Sequence, residues 1–387
     1  HLGGDMQAIQ FTEEQGMLLE TAADFCSKRS PMDLVRANID MEEGVPADVW
    51  REMGELGWLG VVVPETYGGL GLGLADVVPI VESMGRHLMG SPYVATVLAS
   101  RALVTSASEA QKETWLPRIV EGSAASIALT EEDGNWVLNE VTATATAADG
   151  MIQLSGQKCF VLDANMACVI VASVRLDGEA RLVLIAAEQI PAGAIQRETV
   201  IDETRRSFTL NLDGISIPAD QVLPKSDFDA IEQAAMLLLV AEMSGGLVGV
   251  LHVVVDYLTT RKQFDQYIGS YQSLKHPTVQ ILLSAEACRS HLYHAATLLG
   301  GDDAVAIETA LRMAKAQGSE AFAFAGDRAV QFHGGFGFTY ECDAQLFLRR
   351  ALWCQYQFGD AAYHQRLLEP LLLDEAGLDE AVLEEAV

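Results

Sequence analysis

The sequence predicts an α+β fold: an N-terminal α-helical domain, a middle antiparallel β domain and a C-terminal α-helical domain. Three observations predict it. Apolar residues recur at spacings of three and four from Thr12 to about Glu121, the period drops to short alternating or β-branched runs between Ser126 and about Leu223, and the helical spacing returns after Pro224. Strands and helices do not alternate, which excludes a doubly wound α/β sheet. The boundaries implied are 6–122, 123–225 and 226–387.

In the first segment Met17, Leu18, Ala22 and Phe25 mark one face of a helix. A loop, VVPETYGGLGLG at 62–73, interrupts the helical pattern. It is glycine-dense, but it has neither the G-x-G-x-x-G spacing nor a preceding βαβ unit, so it is not a dinucleotide fingerprint. The strands follow as ATATA, MIQLSG, CVIVASVR, ARLVLIAA and FTLNLDGISI, separated by turn residues. Long helices are predicted at about 229–262, 271–299, 302–329 and 341–374. The run AAMLLLVAEMSGGLVGVLHVVV, 234–255, has the length of a membrane span, but Glu242, Ser244, Gly245, Gly246 and His252 interrupt it and no basic flanks frame it. The expectation is a buried helix and no membrane span.

The balance of 25 basic against 54 acidic residues gives a net charge of −29. That argues against nucleic acid or an anionic membrane as partner and fits a cytoplasmic setting. The six cysteines show no CxxC spacing and read as reduced core thiols. The opening HLGGD reads as a cloning scar, and the residues after it show no signal peptide. No His, Cys or acidic cluster has metal-ligand spacing, and His291 with His294 lacks a third ligand.

Two groups of residues stand out chemically. Arg261 ends a long helix and is followed by Phe264 and Gln272, so a cation, a ring and an amide fall close together. A pyrophosphate and an adenine use that combination, although an arginine taken alone is more often a surface ion-pair residue. Gly334 and Gly335 follow Gln331 and let backbone amides approach a phosphate with no Cβ in the way; a helix C-cap is the other reading. His333 and His364 read as packing residues, and Glu341 with Arg349 and Arg350 as a structural salt bridge or cap.

Five stretches in order, VVPETYGGLGLG, ALTEEDG, LSGQKCFVLD, TTRKQFDQYIGSYQSLKH and QFHGGFGFTYE, together resemble the acyl-CoA dehydrogenase family over almost the whole chain. The resemblance implies that the C-terminal domain is a four-helix bundle and that FAD lies between protomers of a homo- or hetero-oligomer, a dimer or tetramer. It implies that Arg261, Phe264 and Gln272 reach the FAD of a neighbouring subunit, with Gln331, Gly334 and Gly335 also at the cofactor. Leu129 and Thr130 match one strand that meets the flavin, and Phe160 and Leu162 match a second, where the commoner residues are Trp and Thr. The implied reaction takes an α-proton from an acyl-CoA thioester onto a carboxylate and passes a hydride to the flavin, with an electron-transfer flavoprotein as acceptor.

Both family positions for that carboxylate are vacant. Phe358 precedes Gly359 where the usual Glu-Gly stands, and Ala235 occupies the alternative position, with Met236 in place of a substrate-anchoring arginine. The remaining candidate bases are Glu242, two turns along the same helix face as Ala235, then Asp360, and more distantly Glu232. A structural carboxylate paired with an arginine is the alternative reading of Glu242. The expected functions are therefore an active dehydrogenase of a bulky, branched or ring-bearing acyl-CoA, a non-catalytic or half-active subunit of a heteromeric dehydrogenase, or a flavin oxidase or monooxygenase on the same fold.

Overall fold

The computed structural model describes residues 12–375, so HLGGD and the outer ends of the first and third predicted segments lie outside the described residues. Six helices come first: α1 (Glu13–Arg29), α2 (Met32–Ile39), α3 (Ala47–Glu55), α4 (Leu74–Arg86), α5 (Tyr93–Ser106) and α6 (Glu109–Val120). The last begins at a capping box, in which Ser108 and Gln111 satisfy each other's backbone amides. Nine strands follow: β1 (Ala124–Ala128), β2 (Thr144–Ala148), β3 (Met151–Ser155), β4 (Gln157–Leu162), β5 (Ala167–Leu176), β6 (Glu179–Ala186), β7 (Ile195–Arg197), β8 (Ser207–Asn211) and β9 (Ser216–Pro218). Then come α7 (Phe228–Thr260), a hairpin of β10 (Lys262–Gln263) and β11 (Gln266–Tyr267), α8 (Gln272–Leu298), α9 (Ala304–Phe332), α10 (Asp343–Tyr356) and α11 (Ala361–Glu375). The order helices, strands, helices is the predicted one.

One predicted helix is two. The segment 341–374 breaks between α10 and α11 because Phe358 and Gly359 adopt φ of +54° and +96°. Neither value propagates a right-handed helix.

The chain forms two compact units. One comprises residues 24–77 and 87–235 and contains the strands. Its larger sheet has the order β1-β5-β2-β3-β9 with β6 on β5, and β4-β8-β7 form a second sheet. Most pairings are antiparallel as expected, but β1–β5 and β2–β5 are parallel. Alternation along a strand fixes which face is buried, not the direction of its neighbour. The connections between these pairs are long enough to permit a crossover. Val161, Ile170, Val174, Ile185, Leu210 and Ile217 are fully buried in this core; each contributes about 1.5–3 kcal/mol by leaving water.

The other unit comprises residues 12–23, 78–86 and 236–375. Here α8, α10 and α11 pack around α9, and α7 crosses the end of α4 at glycines. A Cβ on Gly245 would stand 1.8 Å from the carbonyl oxygen of Glu82, and one on Gly85 would stand 2.1 Å from that of Glu242. The two backbones therefore touch, and any side chain at either point forces them apart. By length and composition α7 is able to cross a membrane, yet 67% of its most apolar window is buried, as befits the predicted core helix.

Candidate flavin and acyl-CoA site

The chain leaves α7 at Thr260 and turns through the β10–β11 hairpin. Its two loop residues, Phe264 and Asp265, have φ of +54° and +63°. This is the turn that matches strand twist and that Asn-Gly ordinarily fills. A phenylalanine there costs on the order of 1–2 kcal/mol, and its ring is 87% exposed. Arg261 is also exposed, and its guanidinium makes no hydrogen bond or ion pair among the described residues. Such uncommitted groups are expected where a ligand or partner completes the contacts.

Both residues line a cavity of about 700 Å³ together with Tyr271, His333, Gly334 and Gly335. A Cβ built on either glycine meets nothing within 4 Å, so the backbone faces open space. His333 is buried, with Nδ1 2.7 Å from the carbonyl of Ala329 and its ring stacked on Tyr257 at 4.1 Å. It packs, as the sequence reading expects. Gln272 and Gln331 are exposed at the start of α8 and near the end of α9, and neither is among the lining residues of this cavity.

The remaining cofactor candidates lie on the unit that holds the sheets. The Cys159 amide donates to the Thr130 carbonyl at 2.8 Å, which sets Leu129 and Thr130 beside Phe160. Phe160 sits at a bulge in β4 with φ of +52°, partly exposed, and its amide donates to the Glu198 carboxylate. The carbonyl of Leu162 accepts from Ser126 Oγ; its aliphatic side chain offers no hydroxyl to a ligand. A buried ion pair fixes this corner. Lys158 Nζ lies 3.2 Å from Glu131, which also accepts from the amides of Thr142 and Ala143. Burial pushes the Glu131 carboxyl up, but the two amides and the lysine outweigh it and hold the pKa below the usual range.

The candidate bases have other partners. Glu242 is buried, and Arg350 donates to its Oε1 at 2.7 Å, with both side chains within 5% of complete burial. Asp360 is the N-cap of α11 and accepts the Tyr363 amide at 2.8 Å. Glu232 is half-buried and engaged in contacts of its own. Ala235 is buried in α7, and Phe358 is half-buried in the turn between α10 and α11.

Sequence reasoning missed a set of buried polar groups. Glu82 on α4 accepts from Ser244 at 2.9 Å and lies 3.5 Å from Arg289 and from Tyr293. Burial raises its pKa, against the opposing charge of Arg289. Lys315 and Arg312 on α9 are buried beside the Phe358 turn. A signal for Lys315 existed: it stands in one helical stripe with Leu311, Gly318 and Phe322, where a lysine needs buried acceptors. Among the described residues no group of three His, Cys, Asp or Glu is placed to hold a metal.

The acyl-CoA dehydrogenase N-terminal domain profile matches residues 12–123, and the C-terminal domain profile matches 234–369. The chain belongs to the acyl-CoA dehydrogenase family. It is 33% identical over 315 residues to Acyl-CoA dehydrogenase FadE12 of Mycobacterium tuberculosis, covering 76% of this chain and 80% of that one. It is 28% identical over 345 residues to Acyl-CoA dehydrogenase IpdE2 of the same species, covering 88% and 91%. Among solved structures, a variant of the Tcur3481-Tcur3483 steroid ACAD superposes with a TM-score of 0.85 at 25% identity, covering 94% of this chain and 99% of that one. The ChsE4-ChsE5 complex from M. tuberculosis gives 0.86 at 23%, covering 95% and 99%.

The family is one of flavin-dependent acyl-CoA oxidoreductases, and the cofactor is FAD. The cavity fits it: an unpaired guanidinium at Arg261 and an open glycine backbone at 334–335 suit a diphosphate, and the exposed ring of Phe264 suits an adenine.

Proposed function

We propose that the chain is the FAD-contacting subunit of a two-chain acyl-CoA dehydrogenase that desaturates a bulky, branched or ring-bearing acyl-CoA at its α,β-bond, the base coming from an unlike partner chain. One observation carries this reading. Phe358 and Ala235 stand where a base is expected, while Glu242 is held by Arg350 and Asp360 caps α11. No carboxylate of this group is left uncommitted for an α-proton.

Bound FAD supplies the two-electron acceptor for the hydride. The chain's own part would be to hold it: Arg261 and the glycine backbone at 334–335 would take a diphosphate and Phe264 would stack on an adenine of the FAD of a neighbouring subunit, while Leu129, Thr130 and Phe160, on the other unit, would each meet a flavin. The exposed aromatics Phe264, Phe336, Phe338 and Tyr340 are the surface an oligomeric partner covers. Likeness to a steroid ACAD bearing two chain names supports both the bulky acyl group and the unlike partner. An electron-transfer flavoprotein as acceptor and a cytoplasmic location complete the reading.

The test is flavin bleaching by a panel of straight-chain, branched and steroid side-chain acyl-CoAs. Purified alone and loaded with FAD, the chain should keep the cofactor but show no bleaching, and adding a co-expressed unlike dehydrogenase chain should restore it. Turnover by the chain alone refutes this reading. It would favour a self-sufficient enzyme with Glu242 as base, the alternative supported by that residue's burial on the Ala235 face of α7. In that case Glu242→Gln abolishes bleaching.

A further inference from the structure

The turn between α10 and α11 is held more firmly than a connection requires. Its two central residues, Phe358 and Gly359, both have positive φ. Gly359 is obligatory, since a Cβ there would stand 2.4 Å from the Tyr363 ring and 2.6 Å from His364 Nε2. Phe358 is not the residue the backbone prefers; Asn or Gly would adopt this conformation with less strain.

Two buried cations on α9, one turn apart, reach this turn, Lys315 directly and Arg312 through His364. Lys315 Nζ donates to the carbonyls of Gly359 at 2.7 Å and Gln355 at 3.2 Å and to Ser319 Oγ at 3.0 Å, using all three of its protons. Arg312, anchored by Glu308 at 2.8 Å, reaches the turn through His364. An arginine only donates, so His364 Nδ1 at 3.2 Å is the acceptor. The ring proton therefore sits on Nε2 and is donated to the Phe358 carbonyl at 2.8 Å. Lys315 and His364 are both fully buried.

We infer that Lys315 and His364 are positioning residues for the side chain at 358, and that this chain keeps an intact platform for presenting one side chain although that side chain is now an apolar ring. A strained backbone survives only where its surroundings over-determine it. Here the carbonyls of 358 and 359 each have their own buried donor. The use made of position 358 rests on the acyl-CoA reading above; the positioning does not.

The test places 4-fluorophenylalanine at 358 in the full FAD-loaded chain and records its fluorine NMR line. One sharp line is expected. Lys315→Met and His364→Leu should broaden or split it in protein that remains folded, and His364→Gln, which keeps a donor for the Phe358 carbonyl, should restore one line. A single unshifted line in both folded variants overturns the inference. If Lys315→Met does not fold, the contrast between His364→Leu and His364→Gln decides alone.

A second arm uses Phe358→Glu. Its carboxylate would take an α-proton from bound acyl-CoA: the C–H bond breaks, an O–H bond forms, the electron pair moves onto the thioester carbonyl, and in deuterated water the carbon regains a deuteron. Exchange should rise by on the order of 100-fold over the parent and fall back when Lys315→Met is added. No exchange together with a responsive fluorine line upholds the positioning and counts against the acyl-CoA reading. Exchange that survives Lys315→Met, with an unmoved line, refutes the positioning.

Discussion

The cavity at Arg261 and the turn at Phe358 lie in the same unit and are built on opposite principles. Around the cavity the functional groups are exposed and uncommitted: Arg261 makes no ion pair among the described residues, Phe264 projects from a hairpin tip, and the glycines face open space. Around the turn the polar groups are spoken for, since Lys315, His364, Arg312 and Asp360 each hold a named acceptor or donor. A site whose ligand comes from outside keeps its groups unsatisfied until that ligand arrives. A site whose work is geometry satisfies every group within the chain. At 358 an apolar ring sits on a turn whose backbone carbonyls keep their buried donors.

The comparison breaks most readily at the Glu242–Arg350 pair. Arg350→Met leaves a buried carboxylate without its cation and should cost about 3–5 kcal/mol in urea unfolding. Replacing both members by apolar residues should recover most of that loss. Failure of the double variant to recover would mean that the pair does more than satisfy itself.

Acid titration separates the two regions next. Burial first, then the charges of Lys315 and Arg312, push the His364 pKa down to about 4. Between that value and the ordinary 6.5 the unfolded chain binds a proton that the folded chain refuses, so stability falls as the pH drops through this window. The loss should reach about 3 kcal/mol, and His364→Gln should remove it. Lys315, pushed down by burial to about 8, acts in the same sense on the alkaline side. From about 8 to the ordinary 10.5 the unfolded chain alone carries the proton, and stability rises with pH, an effect Lys315→Met should abolish.

The cavity should respond in binding and not in stability. Arg261→Ala should weaken FAD by about 1.5–3 kcal/mol, the worth of hydrogen bonds to a charged group, with the melting temperature of the FAD-free chain unchanged; fluorescence titration with FAD measures it. A parallel fall in melting temperature would show that Arg261 braces the fold. The smallest effect is expected at Phe264. Phe264→Asn relieves the left-handed strain and should stabilise the FAD-free chain by up to about 1 kcal/mol, while FAD retention on gel filtration falls.

The three phenylalanines with positive φ, Phe160, Phe264 and Phe358, show how far the sequence was legible. All three were singled out from their motifs, two as cofactor contacts and one as a replaced base. Nothing in local propensity marks them as strained: the left-handed backbone sits at a bulge in β4, at the tip of a two-residue hairpin and at a helix break. The break itself was missed. The segment 341–374 is periodic enough for one helix, and the turn that divides it takes buried donors from α9 and α11, which the local pattern does not show.

The order of helical and strand segments and the buried nature of α7 followed from the sequence alone, as did the motifs by which the chain resembles its family. They rest on periodicity and on residue types at fixed spacing, which are local properties. The parallel pairings of β5 and the contact of α4 with α7 at Gly85 and Gly245 were decided only by tertiary structure. So were the pairing of Glu242 with Arg350 across 108 positions and the reach of Lys315 to Gly359 across 44. Each joins groups far apart in the chain, and a buried charge reveals its role only when its partner is in place.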